Sequence, residues 1–184
     1  MERYLYPHTI DNGGGEKITF VKYVKDETGG YLEVENVVQP NSGPPMHVHL
    51  KQAESLTIVK GSMGVQILGE EEQFYGAGQT ATFEAGVPHR FWNNGTEPLI
   101  CKGYIKPVDN IEYFLTEIFQ STKTNGGEKP GLFDVAYLIT KYKSEFDMND
   151  IPGFVKKVFF PVIIFVGTLL GKYGKYKGAP DAVK

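Results

Sequence analysis

The chain has 184 residues with a formal net charge of −3 and a pI near 5.8. That balance lacks the basic excess of a nucleic-acid binder, and 41% hydrophobic with 13% aromatic residues argues against global disorder. The length suits one domain, or one domain with an appended piece, and a single cysteine, Cys101, excludes an intrachain disulfide or a thiolate metal cluster.

Residues 1–14, "MERYLYPHTIDNGG", read as a leader. They contain no apolar stretch of the kind a signal peptide needs, so the cytoplasm is the expected compartment. His8 in this leader is expected to be exposed and without a role.

From residue 15 to 107 short β-prone runs alternate with Gly, Pro and Asn punctuation: "KITFVKYV", "GYLEVENVVQ", "ESLTIVKG", "SMGVQILG", "HRFWNNG" and "PLICKGYIKP". Turn signals about every eight to twelve residues predict an antiparallel sandwich or barrel, and no helix alternates with the strands as an α/β fold would require.

Within this region "PPMHVHLKQAE" places two of the four histidines one residue apart. Alternate residues of a strand share a face, so His47 and His49 point together while Met46 and Val48 point away. Glu54 lies an odd number of residues after His49, so "LKQA" must turn or bulge to bring it to the same interior. From there Glu54, Leu56 and Ile58 form an inward face. A carboxylate beside two apolar residues calls for a compensating partner. Further on, "EAGVP" makes a turn and His89 opens the next strand, where it shares a face with Phe91 and Asn93; Arg90 and Trp92 point the other way. Parity thus lets three imidazoles and one carboxylate converge. That N/O set suits Mn, Fe, Ni, Cu, Co or Zn with coordination positions left for water or substrate. No G-x-S-x-G, P-loop or G-x-G-x-x-G offers a rival chemistry. Gln52 and Asn93 lie near enough to contribute, although turn roles suit both. Phe83, Phe91 and Tyr104 are candidates for a pocket wall or for the core.

The segment Gly43 to Gly61 resembles the first cupin motif, H-x-H-x(3,4)-E-x(6)-G, through His47, His49, Glu54 and Gly61. Gly78 to Asn93 resembles the second, G-x(5)-P-x-G-x(2)-H-x(3)-N, through Gly78, Gly86, His89 and Asn93. Glu84 stands where the second motif has proline, and Ser55 follows the glutamate where a hydrophobic residue is common; neither removes a ligand. The resemblance covers roughly residues 15–107. It implies a double-stranded β-helix, mainly β, holding one divalent transition metal ion through His47, His49, Glu54 and His89. It also implies a small-molecule substrate. An oxygenase-type reaction with Glu54 as general base is the expected chemistry. The alternatives are a metal and ligand-binding module without turnover, or a sugar isomerase or epimerase, for which no Arg/Lys clamp is evident.

Residues 108–184 read as a C-terminal helical extension. Ile111, Phe114, Leu115, Ile118 and Phe119 form one apolar stripe, preceded by a capping box of Asp109 and Glu112. A second stripe runs through Leu132, Val135, Ala136, Ile139, Tyr142 and Phe146. The third segment, Phe154 to Leu170, is apolar on all sides, contains Pro161 and is flanked by lysines. It is shorter than the ~20 residues a membrane span needs. Burial against the barrel or across a homodimer interface is therefore expected, and membrane contact is not.

Overall fold

The computed structural model describes residues 4–27 and 29–184. Its strands among these residues form two antiparallel sheets. The first has the order β1-β2-β3-β10-β5-β8, with β1 His8–Asp11, β2 Glu16–Val24, β3 Tyr31–Val38, β5 Ala53–Lys60, β8 Thr80–Phe83 and β10 Leu99–Lys106. The second has the order β11-β4-β9-β6-β7, with β4 His47–His49, β6 Ser62–Ile67, β7 Gln73–Gly76, β9 His89–Asn93 and β11 Phe146–Met148.

The period-2 pattern in the sequence becomes the core. On β3 Leu32, Val34, Asn36 and Val38 are buried, on β2 Glu16, Ile18 and Phe20, and on β5 Leu56 and Ile58 beside Glu54. The inner faces of both sheets contribute to one hydrophobic cluster. Gly61 and Gly64 are among the glycines that geometry requires. Gly61 alone connects β5 to β6 at φ +97°, a conformation side chains disfavour. Gly64 leaves room for the indole of Trp92 on the neighbouring strand, and a Cβ there would collide with that ring.

The extension contains α1 (Ile111–Thr124), α2 (Leu132–Lys141) and α3 (Phe160–Leu169), the last entered through a π-helical stretch, Val155–Phe159. It departs from the sequence expectations in several places. Asn110, not Asp109, is the N-cap of α1, and no side-chain cap bond forms. Asp109 adopts φ +40° and accepts a hydrogen bond from Gln52, while Glu112 is taken by Tyr6 and His8. The expected capping box is absent because both members have longer-range partners.

Phe146 lies beyond the end of α2, on β11. That three-residue strand pairs with β4, placing Phe146 opposite His49 and Met148 opposite His47. The extension thus completes an edge of the sheet that carries the histidines. Glu145, fully buried, secures the junction: it accepts hydrogen bonds from the backbone N–H and Nδ2 of Asn110 (3.2 and 2.8 Å) and from the N–H of Val183 (2.8 Å).

His8 is also not the exposed loop residue expected. It sits on β1, its Nδ1 2.9 Å from Oε1 of Glu112 and its ring stacked between Tyr4 and Phe20.

Of the two burials expected for the third apolar segment, the one against the barrel is not found. Only Phe160 and Gly167 are buried, and Val155, Lys156, Ile163 and Ile164 are half-buried. Phe154, Val158, Phe159, Val162, Phe165, Val166, Leu169 and Leu170 are exposed. The helix does not bury itself against the barrel, because a helix presents only one side to the body it rests on. No helix among the described residues is long and apolar enough to cross a membrane.

Candidate metal centre

β4 and β9 are neighbours, and His47 stands directly opposite His89 in their register. His49 lies two residues along β4 on the same face. The residues between β4 and β5 reset the strand phase, and Glu54 enters the interior from the opposite sheet, paired with Phe83 of β8 and Ile105 of β10. The four side chains meet. Ring centroids lie 4.5 Å apart for His47 and His89, 4.9 Å for His47 and His49, and 5.6 Å for His49 and His89. Glu54 Oε2 is 3.6 Å from His89 Nε2. One donor atom from each of the four lies within 4.8 Å of the others.

The rings are oriented by their surroundings. His47 Nδ1 is 2.8 Å from the carbonyl of Pro45, and His89 Nδ1 is 2.8 Å from the carbonyl of Val87. A carbonyl only accepts, so both Nδ1 atoms carry the proton and both Nε2 lone pairs are left for the interior. Phe83 stacks flat on His89 at 4.0 Å between centroids and fixes the ring plane. His49, Glu54 and His89 are buried, whereas His47 is partly exposed and marks the open side.

Two polar atoms in this cluster have no hydrogen-bond partner, His49 Nδ1 and His89 Nε2. A buried nitrogen without a partner costs roughly 1–3 kcal/mol. A cation bound among three imidazoles and a carboxylate would remove that cost, so the donor set fits a divalent transition metal. The electrostatics keep His47, His49 and Glu54 in their ligating forms. Burial, with the charges of His49 and His89, lowers His47 to about 3. Burial also lowers His49 to about 4, with Glu54 opposing the drop and His89 adding to it. For Glu54 burial acts to raise the pKa, but the facing imidazoles outweigh it and hold the carboxyl below its usual value. Neutral imidazoles beside an ionised carboxylate are what a metal requires.

The other residues singled out by the sequence have different fates. Asn93 ends β9 and is fully buried, with Nδ2 donating to the carbonyls of Val38 and Glu97 and Oδ1 accepting from the N–H of Gly95. Gln52 is buried and donates to Asp109 at 3.2 Å. Phe83 forms a wall of the cluster and Phe91 stacks against it. Tyr104 faces outward and meets Tyr31 edge to face, so it lines no interior pocket. Arg90 points away to Gln66 and Glu72, as parity requires.

Sequence reasoning missed Glu16 and Asn36. Both are buried on inward positions of β2 and β3, and Asn36 Oδ1 has no hydrogen-bond partner. Burial, with the charge of Glu54 adding, raises Glu16 to about 8. The signal was present, since Glu16 shares the parity of Ile18 and Phe20. Cys101 is buried, and burial followed by the Glu54 charge pushes its thiol up to about 12, which leaves it without nucleophilic character.

The architecture is that of a cupin-like barrel, and its converging His/Glu set could hold one ion. Residues 35–102 match the family model for the cupin domain, and the chain carries a cupin domain. Two curated fungal proteins are similar. The probable oxidoreductase virH of Hypocrea virens is 32% identical over 95 residues, 47% of this chain and 43% of the relative. The oxidoreductase iacF of Pestalotiopsis fici is 29% identical over 87 residues, 46% and 43% respectively. The matched region thus spans less than half the length of either relative. Among solved structures, KdgF from a Halomonas species aligns with a TM-score of 0.48 and 15% identity over 56% of this chain and 92% of that one. A double-stranded β-helix protein from Klebsiella pneumoniae aligns with a TM-score of 0.40 and 22% identity, over 47% and 74%. These two likenesses concern the fold alone.

Proposed function

We propose that this protein is a metal-dependent oxidoreductase of the oxygenase type, acting on a small organic molecule. The observation that carries the reading is the pair of buried, unpartnered imidazole nitrogens, His49 Nδ1 and His89 Nε2, in a cluster with His47 and the Glu54 carboxylate. The redox part is supported by the oxidoreductase names of the two fungal relatives.

His47, His49, Glu54 and His89 would hold one ion of the Mn, Fe, Ni, Cu, Co or Zn group. Such an ion supplies Lewis acidity and, where redox-active, one-electron chemistry with dioxygen. The chain's own groups do the rest. The carbonyls of Pro45 and Val87 keep His47 and His89 in the tautomer that leaves Nε2 unprotonated. Phe83 holds the His89 ring and keeps water from one side of the cluster. Glu54, ionised despite its burial, is the one carboxylate among the described residues that joins the three imidazoles, and it accepts the proton of an enol, phenol or diketone substrate at Oε2. Substrate enters on the side of His47, the least buried of the four.

Elemental analysis of the purified protein beside a His47→Ala variant, followed by oxygen-electrode assays with enols, phenols and diketones, tests this reading. One equivalent of a redox-active metal, lost in the variant, with substrate-dependent oxygen uptake is expected. Retained metal and tight ligand binding without oxygen uptake would replace it with a binding module.

A further inference from the structure

The eight apolar side chains left exposed along Phe154–Leu170 are not scattered. Val158, Val162, Phe165 and Leu169 recur at intervals of four, three and four, so they line one side of the helix, and Phe159, Val166 and Leu170 follow beside them. Phe165 is 65% exposed and Leu169 72%. The opposite side, through Phe160 and Gly167, is the one packed on the chain. A contiguous apolar strip of this kind marks an interaction surface. Its 15 helical residues, Val155–Leu169, span about 22 Å at the usual rise, which suits a helix lying in a plane.

Charge selects the partner. From Phe154 to Gly178 the sequence holds Lys156, Lys157, Lys172, Lys175 and Lys177 and no acidic residue, in a chain whose net charge is −3. Lys156 is engaged by Asp147 and Lys175 by Asp134. Lys157, Lys172 and Lys177 make no ion pair among the described residues and sit at the two ends of the apolar strip. A second copy packed strip to strip would bring lysine ends together, antiparallel or parallel, with no carboxylate in the segment to pair them. An anionic bilayer surface accepts both features at once: the apolar side chains enter the headgroup boundary, and the flanking lysines meet lipid phosphates and carboxylates.

We propose that α3 and its lysine-bearing flanks form an in-plane docking surface for an anionic membrane, placing the barrel at the bilayer without crossing it. The proposal is independent of the metal reading, because no residue of the strip belongs to the His/Glu cluster.

Co-sedimentation of the full chain with vesicles of phosphatidylcholine alone, or of phosphatidylcholine mixed with phosphatidylserine, tests it. Binding to the mixed vesicles that weakens with added salt is expected. Phe165→Asp combined with Leu169→Asp should reduce that binding by at least about tenfold. Lys157→Gln and Lys177→Gln should each reduce it about fivefold. The charge variants alter only exposed side chains and test the idea even if the apolar pair compromises folding, which far-UV circular dichroism would reveal. Failure to bind either vesicle, or equal binding to both, overturns the proposal. So does a dimer in analytical ultracentrifugation that Phe165→Asp with Leu169→Asp dissociates.

Discussion

In the barrel three histidines, Glu54 and Glu16 are gathered into an interior otherwise filled by Leu, Ile, Val and Phe; in the extension a helix made almost wholly of Phe, Val, Ile and Leu faces outward. Each region reverses the usual partition of polar and apolar groups, and in opposite senses. Removing ionisable groups from water is costly unless a partner compensates them, and leaving a broad apolar strip in water is costly unless something covers it. The two departures have a common lesson. Each identifies a place where the folded chain alone does not satisfy its own chemistry, and the two proposals above supply a cation for the first and a surface for the second.

The barrel half of that comparison can be broken most sharply at His89. His89→Ala removes one of the four proposed donors and the ring that Phe83 stacks on. Its affinity for divalent transition metal should fall by well over 100-fold, beyond what losing an outer partner costs. Competition against a calibrated chelator measures it, and retention of wild-type affinity would show that the ring is not a ligand.

The junction between the halves offers the next effect. Glu145 joins the start of α1 to the C-terminal segment through three accepted hydrogen bonds. Glu145→Ala leaves buried donors unmatched and should cost about 2 kcal/mol in chemical denaturation. If the cost is negligible, the extension is secured elsewhere.

Glu145 also illustrates how much the sequence could reveal. The cluster was legible because strands have an exact period: His47 and His49 alternate within one strand, His89 opens another, and the phase reset before Glu54 follows from parity. Long-range pairings leave no such trace. β11 is three residues long, too short to display a period, so Phe146 was absorbed into the stripe of α2. Asp109 and Glu112 had the spacing of a capping box, yet Gln52, Tyr6 and His8, remote in sequence, claimed them. The helix at Phe154–Leu170 shows the remaining gap. All-round hydrophobicity states that a segment avoids water but not what it rests against, and one face is all that the fold covers.

Acid sharpens the comparison from the barrel side. In metal-free protein His47 and His49 are lowered to about 3 and about 4 from an ordinary value of 6.5. Between those values and 6.5 the unfolded chain binds protons on these two rings that the folded chain does not, so the rings make stability rise with pH across this window. Glu16 opposes them above about 4.5, because the folded chain keeps it protonated up to about 8. The rings' contribution falls as the solution is acidified below about 6.5, by up to about 1.4 kcal/mol per pH unit for each histidine. Urea denaturation of chelator-treated protein at a series of pH values would record it. Repeating the series with Glu16→Gln removes the opposing carboxyl, and a flat profile in that variant would mean that the rings reach solvent in the folded state. α3 contributes no such dependence, since it carries no titratable group between Phe160 and Leu169.

The smallest effect belongs to the exposed helix, and its smallness is the point. Phe165 lies 65% exposed on the strip away from Phe160 and Gly167. Deleting a core phenylalanine costs about 3–5 kcal/mol because packing is lost and a cavity remains. Phe165→Ser removes almost no packing within the chain, so in dilute solution its stability should stay within about 0.5 kcal/mol of the parent. Equilibrium unfolding at low protein concentration and without lipid makes the measurement. A loss above about 2 kcal/mol would place Phe165 among covered side chains. The outward strip would then be an ordinary interior face, and the contrast between the two regions would reduce to the barrel alone.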